Sequence, residues 1–314
     1  MYLIKRIKIL IKEILWHFNL NLNFKDKKIK ISKEKYNFPP HKVYADLIPP
    51  AELNYNYNSS YLNYKKNFLD AHFKTYFPKI LEYQNKYYNI KDKNFFLDLG
   101  CGYGPMAITY LNYLKSNSNK SSNFKYIGVD INKEAINWLK NKYNDYPEFD
   151  FLYHETSLEK DYLQSKSKNI QTLKDSDAKE VDYKISLETK FDTQWSWSLF
   201  THLTPKSCDK ILNLISNHTE ENSLQFNSWL ILDDQSKFAL ECGITNRLLP
   251  YDMGEYLTRS KENPLTATCY KERFILDVYR KNNLKILDII KGRWRGTNSC
   301  DKYLNQDLIV SQKI

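Results

Sequence analysis

The chain is short of glycine. Only eight occur in 314 residues, so a glycine here marks a place where the backbone needs one. Methionine and cysteine are also sparse, at three and five residues. The cysteines stand at 101, 208, 242, 269 and 300, with no C-x-x-C pair and no histidine at zinc-ligand spacing. That pattern gives no disulfide framework and no expected metal site, and it fits a reducing cytoplasm. No apolar run of about 18 residues is present, so no transmembrane helix is expected. Acidic residues are outnumbered, 37 against 47 lysines and arginines, for a net charge of +10. A basic balance favours anionic partners, such as nucleic acid, phospholipid headgroups or phosphorylated sugars. Lysine scattered over a solvated surface would give the same sum.

What is present is concentrated. Three of the eight glycines lie in Gly100-Cys101-Gly102-Tyr103-Gly104, directly after the apolar run Phe95–Leu99. A strand, a glycine-rich turn and a helix beginning near Pro105 form a nucleotide-like cofactor site. A fourth glycine sits in Tyr126-Ile127-Gly128-Val129-Asp130, a second buried strand that ends in an acid. The dinucleotide fingerprint G-x-G-x-x-G is not matched, because Met106 and Ala107 stand where its third glycine belongs. Asp98 before the turn would repel a pyrophosphate and attract an ammonium or sulfonium group. Asp130 has a second reading as the N-cap of the helix that follows.

Strands are expected at 94–99, 125–130, 149–153, 191–199, 224–232, 284–290 and 307–312. Helices are expected at 61–88, from Pro105, at 133–143, from Pro205 and at 271–282. Alternation of this kind predicts an α/β fold with a mostly parallel sheet between two helical layers. The organisation expected is a basic amphipathic helix over 1–20, an N-terminal extension with a helix over 21–92, and a main domain over 93–314. Within the first segment Leu3, Ile7, Leu10, Ile14 and Phe18 share a stripe, and Lys5, Arg6, Lys8 and Lys12 occupy the rest of the surface. That helix either lies on an anionic membrane or packs on the protein or a partner subunit.

The run Phe96-Leu97-Asp98-Leu99-Gly100-Cys101-Gly102-Tyr103-Gly104 resembles motif I of the class I S-adenosylmethionine-dependent methyltransferases, and Gly128-Val129-Asp130-Ile131-Asn132 resembles the motif closing their second strand. The resemblance implies a Rossmann-like three-layer αβα fold with a seven-stranded, mostly parallel sheet and an antiparallel last strand. S-adenosyl-L-methionine is the cofactor it implies. Asp98, Gly100, Cys101, Gly102, Gly104, Asp130, Ile131, Glu155 and Trp195 would then form the cofactor site, with Asp130 on the ribose hydroxyls and Glu155 toward the adenine amine. Trp195–Ser198 would line the pocket near the reacting methyl.

His202 is the candidate general base, and Asp233 and Asp234 are the alternatives. Fragments around Ile48–Leu53, Ser198–Leu203 and Gly292–Gly296 are similar to a bacterial branch associated with polysaccharide biosynthesis. There Arg293, Trp294 and Arg295 would meet an anionic or glycan acceptor. The function implied is methylation of a hydroxyl on a glycan or other small molecule, in the cytoplasm or peripherally on the inner face of a membrane. An RNA methyltransferase and a non-catalytic cofactor-binding protein are the alternative readings. No appended RNA-binding module is visible, and the oligomeric state is left open.

Overall fold

The computed structural model describes residues 46–49, 71–87, 94–116, 124–154, 190–297, 300–301 and 303–314. The amphipathic segment 1–18 and Glu155 lie outside them. The first strand, β1 (Asn94–Leu99), is buried on both faces, with Phe96 and Leu97 each at 0% exposure. Such a strand needs helices on both sides of its sheet. Beside it run β2 (Phe124–Asp130), β3 (Phe149–Tyr153), β4 (Phe191–Ser196) and β5 (Thr219–Trp229). Four further strands are short: β6 (Ile231–Leu232), β7 (Tyr251–Asp252), β8 (Tyr256–Thr258) and β9 (Thr268–Lys271). The chain ends with β10 (Leu284–Ile290) and β11 (Asp307–Lys313).

The main sheet has seven strands in the order β10-β11-β5-β4-β1-β2-β3. Strands β1 to β5 pair in parallel, and β11 is antiparallel to both neighbours. This is the seven-stranded, mostly parallel sheet expected from the sequence, antiparallel last strand included. One face packs under α1 (Phe77–Tyr87), α2 (Pro105–Ser116) and α3 (Lys133–Lys142), in a core holding Phe77, Phe96, Tyr110, Tyr126 and Trp195. The other packs under α4 (Pro205–His218) and α6 (Glu272–Lys281), around Leu97, Ile211, Trp229, Tyr279 and Ile309. The Gln84 amide donates to Thr193 Oγ1 at 2.8 Å, tying α1 to β4.

Helix starts follow their sequence signals. In α4, Pro205 opens the helix and Thr204 Oγ1 accepts from the Ser207 N–H at 3.1 Å. In α3 the cap is Asn132, whose Oδ1 accepts from the Ala135 N–H at 3.1 Å. Asp130 therefore does not cap α3. A side chain one register nearer the first turn takes that role and leaves Asp130 to other donors.

Residues 224–232 do not form one strand. β5 ends at Trp229 and β6 joins a separate four-stranded sheet, ordered β6-β9-β8-β7. The break occurs where the Ile231 N–H leaves the main sheet and donates to the Asp307 side chain at 2.9 Å. Between β6 and β7 lies α5 (Asp234–Glu241), closed by a capping box of Asp233 and Ser236. Residues 219–223, ahead of the strand expected from 224, already belong to β5, with Asn222 in the left-handed region at φ 65°. Among the described residues no helix is long and apolar enough to cross a membrane.

Candidate cofactor site

The carboxyl ends of parallel strands are where open α/β sheets bind ligands. The glycine turn stands at the carboxyl end of β1. Gly100, Gly102 and Gly104 all have positive φ, at 76°, 51° and 73°. The turn is folded onto β2 by the Gly100 and Cys101 N–H groups, which share the Val129 carbonyl at 2.8 and 3.1 Å. The Gly104 N–H closes back on the Cys101 carbonyl at 2.9 Å. Space separates the roles of two of these glycines. A Cβ at Gly104 would come 2.7 Å from Leu139 Cδ2, whereas one at Gly102 would meet nothing within 4 Å. Gly104 serves helix packing, and Gly102 faces open space.

Cys101 turns away from that space. Its side chain is buried, and Sγ lies 3.0 Å from where a Gly128 Cβ would sit. The absence of a side chain at Gly128 is what lets Cys101 and Phe151 pack there. Only the Cys101 backbone is left for a ligand.

Asp130, at the end of β2, joins the two motifs. Its Oδ2 accepts from the Gly102 N–H at 2.7 Å and its Oδ1 from the Asn132 N–H at 2.8 Å. A carboxylate has about four lone-pair positions and can accept from two donors at once on each oxygen. Ile131 follows, half-buried. Asp98 is 2% exposed and accepts a hydrogen bond from the Tyr126 hydroxyl. Burial raises its pKa from 3.8 to about 7, the Tyr126 hydroxyl pulls the other way, and the Asp130 charge adds to the rise. It carries no cation partner among the described residues.

The Trp195 ring is 1% exposed and stacks on Trp197 with centroids 5.7 Å apart, while Trp197 stacks on Tyr76 at 4.0 Å. Trp195 is thus spent on packing and offers the pocket no side-chain surface. Beyond β4, Ser198 has φ 62°, a left-handed conformation uncommon for serine. Its N–H donates to Ser228 Oγ at 2.6 Å, and its hydroxyl accepts from the Gln306 amide at 2.7 Å. Ser228 Oγ in turn donates to Gln306 Oε1 at 2.8 Å. This buried polar knot fixes the carboxyl ends of β4 and β5. Ser228, in β5, and Gln306, just before β11, lie 78 residues apart, so nothing local in the sequence signals their pairing.

His202 lies in the 3-10 turn Phe200–His202 on the same edge of the sheet. Its Nδ1 is 2.9 Å from the Leu265 carbonyl, which can only accept. The neutral tautomer that suits this contact carries its proton on Nδ1. Asp233 is not comparable. Burial raises its pKa, but the Ser236 N–H, Arg295 and Lys291 outweigh that and hold it at about 2.

The stretch 293–295 departs from expectation. Trp294 and Arg295 are both 0% exposed, and Arg295 binds Asp307 through Nε at 2.8 Å and Asp233 through Nη1 at 2.6 Å. They hold the insertion to the sheet and cannot stack on an acceptor. Arg293 remains at the surface, donating to Asn305 Oδ1.

No family model matches the chain. Solved structures similar to it include an S-adenosylmethionine-dependent methyltransferase from Clostridium acetobutylicum ATCC 824, at 15% identity over 77% of this chain and 92% of that one, with a TM-score of 0.46. The magnesium protoporphyrin IX methyltransferase of Synechocystis PCC 6803 with bound SAH gives 11% identity, 87% and 99% coverage, and a TM-score of 0.48. A SAM-bound amino pentose methyltransferase from Micromonospora echinaspora gives 9%, 82%, 99% and 0.46.

Proposed function

We propose that the chain is an S-adenosylmethionine-dependent methyltransferase acting on a hydroxyl of a glycan or other small molecule. One observation carries the reading. The Asp130 carboxylate is fixed at the end of β2 by the Gly102 and Asn132 N–H groups, beside a glycine that faces open space. That donor set fits a vicinal diol against bare backbone, as a ribose requires. Buried Asp98, beside the same turn, fits a cationic neighbour.

S-adenosylmethionine, when bound, supplies the activated methyl group. The chain's own residues must then hold it, orient the acceptor and accept a proton. Gly100–Gly104 and Asp130 hold the nucleoside end, and Glu155, outside the described residues, is assigned to the adenine. His202 Nε2 takes the hydroxyl proton as the acceptor oxygen forms its new bond. The Ser198–Ser228–Gln306 knot keeps the strand ends rigid beneath the acceptor. The amphipathic segment 1–18 is assigned to an anionic membrane surface, which suits a lipid-linked acceptor. Cosedimentation with phosphatidylglycerol vesicles, lost on deleting residues 1–18, is the result expected for it.

Calorimetry with S-adenosylmethionine tests the central reading. The wild type is expected to bind, and Asp130→Ala to bind at least a hundredfold more weakly. No heat with the wild type refutes the proposal.

A further inference from the structure

Between β5 and α6 the insertion 230–271 builds α5, the small sheet and a cavity of about 920 Å³. Its walls are apolar at Leu232, Leu240, Leu249 and Leu257, and it is also lined by Arg247. The Arg247 side chain is half-buried and has no hydrogen-bond or ion-pair partner among the described residues. Burial takes the guanidinium partly out of water and lowers its pKa. A cation so placed is partly dehydrated with no counter-charge bonded to it, an arrangement that favours an anionic partner.

The segment that presents Arg247 is fixed. The Ile244 N–H donates to the Ala239 carbonyl at 2.8 Å, and the Asn246 N–H to the Trp294 carbonyl at 3.0 Å. Thr245 Oγ1 donates to the Arg247 carbonyl at 2.8 Å, and Leu249 is buried. A rigid segment presents its cation without an ordering cost on binding.

The acids on the same wall have other duties. Asp233 holds Arg295 and Lys291, and Asp252 lies 3.9 Å from Lys271. Asp234 and Glu272 occupy the first turns of α5 and α6, where the helix field favours a negative charge. Glu241 has an interaction of its own. Lys237, on α5, adds a second cation without a partner among the described residues.

The insertion is locked to the edge that carries His202. Tyr270 OH donates to the Leu203 carbonyl at 2.5 Å, and Thr268 Oγ1 to the Phe200 carbonyl at 3.1 Å. His202 itself is bonded to the Leu265 carbonyl.

We infer that this cavity receives an organic anion, a carboxylate or phosphate ester on a largely uncharged body, bound through Arg247. Resting on the methyltransferase reading, the inference makes that anion the acidic group of the methyl acceptor. A guanidinium pairs with either anion in a bidentate fork, and the leucine walls take the body.

The test titrates the full chain calorimetrically with phenyl phosphate, benzoate and, as the uncharged control, phenol. At least one anion is expected to bind, with affinity falling tenfold or more in Arg247→Ala and less in Arg247→Lys. Phenol is expected to distinguish none of the three proteins. Binding of phenyl phosphate alone identifies a phosphate ester, and of benzoate alone a carboxylate. No heat from either anion, or equal affinity in Arg247→Ala, overturns the inference. So does displacement of the anion by S-adenosylmethionine, which would put the anion in the glycine turn. Anion binding that depends on Arg247 without any S-adenosylmethionine binding removes the methyltransferase reading and leaves the anion cavity standing.

Discussion

Replacing Asp98 by asparagine keeps the shape and the acceptor for the Tyr126 hydroxyl but removes a charge held 2% exposed in the fold. The carboxyl pKa is about 7 in the folded chain against 3.8 as its ordinary value. Because the folded value is raised, the group favours the fold fully only below about pH 4, and that contribution is lost as pH rises toward 7. The loss is about 1.4 kcal/mol for each unit between the two values, or about 4 kcal/mol once both forms are ionised. Asparagine does not titrate. The stability gap between Asp98→Asn and wild type is therefore expected to grow from under about 1 kcal/mol at pH 4 to about 4 kcal/mol at pH 8, in favour of the variant. Other carboxyl groups titrate equally in both proteins and cancel in the difference. Urea midpoints measured at pH 4, 6 and 8 without cofactor provide the comparison. A gap that does not change with pH, or a wild type more stable at pH 8, refutes the assignment of a buried uncompensated carboxyl at this position. On the methyltransferase reading the same variant binds S-adenosylmethionine more weakly, so the residue that costs the fold stability is one the ligand needs.

The two glycines of the turn should separate under substitution. Gly104→Ala sets a Cβ 2.7 Å from Leu139 at positive φ and should cost the fold about 1–3 kcal/mol, read from thermal melts. Gly102→Ala meets no atom within 4 Å, so it should destabilise less and instead weaken S-adenosylmethionine binding by calorimetry. His202→Ala should lower turnover by about a hundredfold or more while cofactor affinity, read by calorimetry, is kept. Arg295→Ala leaves Asp307, itself 0% exposed, without its cation and Asp233 with Lys291 alone, and should destabilise by about 3–5 kcal/mol in urea melts.

The main sheet was legible because its strands carry clusters of large apolar residues between turn and helix signals. Asn94–Leu99, Phe149–Tyr153 and Leu284–Ile290 have the bounds that their patterns predict. The insertion was not legible. Tyr251–Asp252 and Tyr256–Thr258 are too short for any period to register, and both take their partners from the small sheet. The break at Leu230 is equally silent in the sequence, because Trp229-Leu230-Ile231-Leu232 runs across it without a polar or turn residue. What divides them is Asp307, a residue 76 positions further on, which draws the Ile231 N–H out of the sheet.

The same contrast governs the site. The glycine turn and Asp130 could be read because their chemistry is local: positive φ requires glycine, and an acid at a strand end stands out from an apolar run. Arg293–Arg295 misled because exposure is not a local property. A basic, aromatic triplet in a turn has the composition of a glycan platform, yet Arg295 is wholly buried against Asp307 and Asp233. Neither acid is near it in sequence, so its burial could not be anticipated. Arg247 is the reverse case, an arginine with no distinguishing neighbours that lacks a partner in the described structure. Compensation of charge thus decides which arginines hold the fold together and which remain available to a ligand. On the proposed reading, that criterion assigns recognition of an acceptor to the cavity of the insertion rather than to the 293–295 turn.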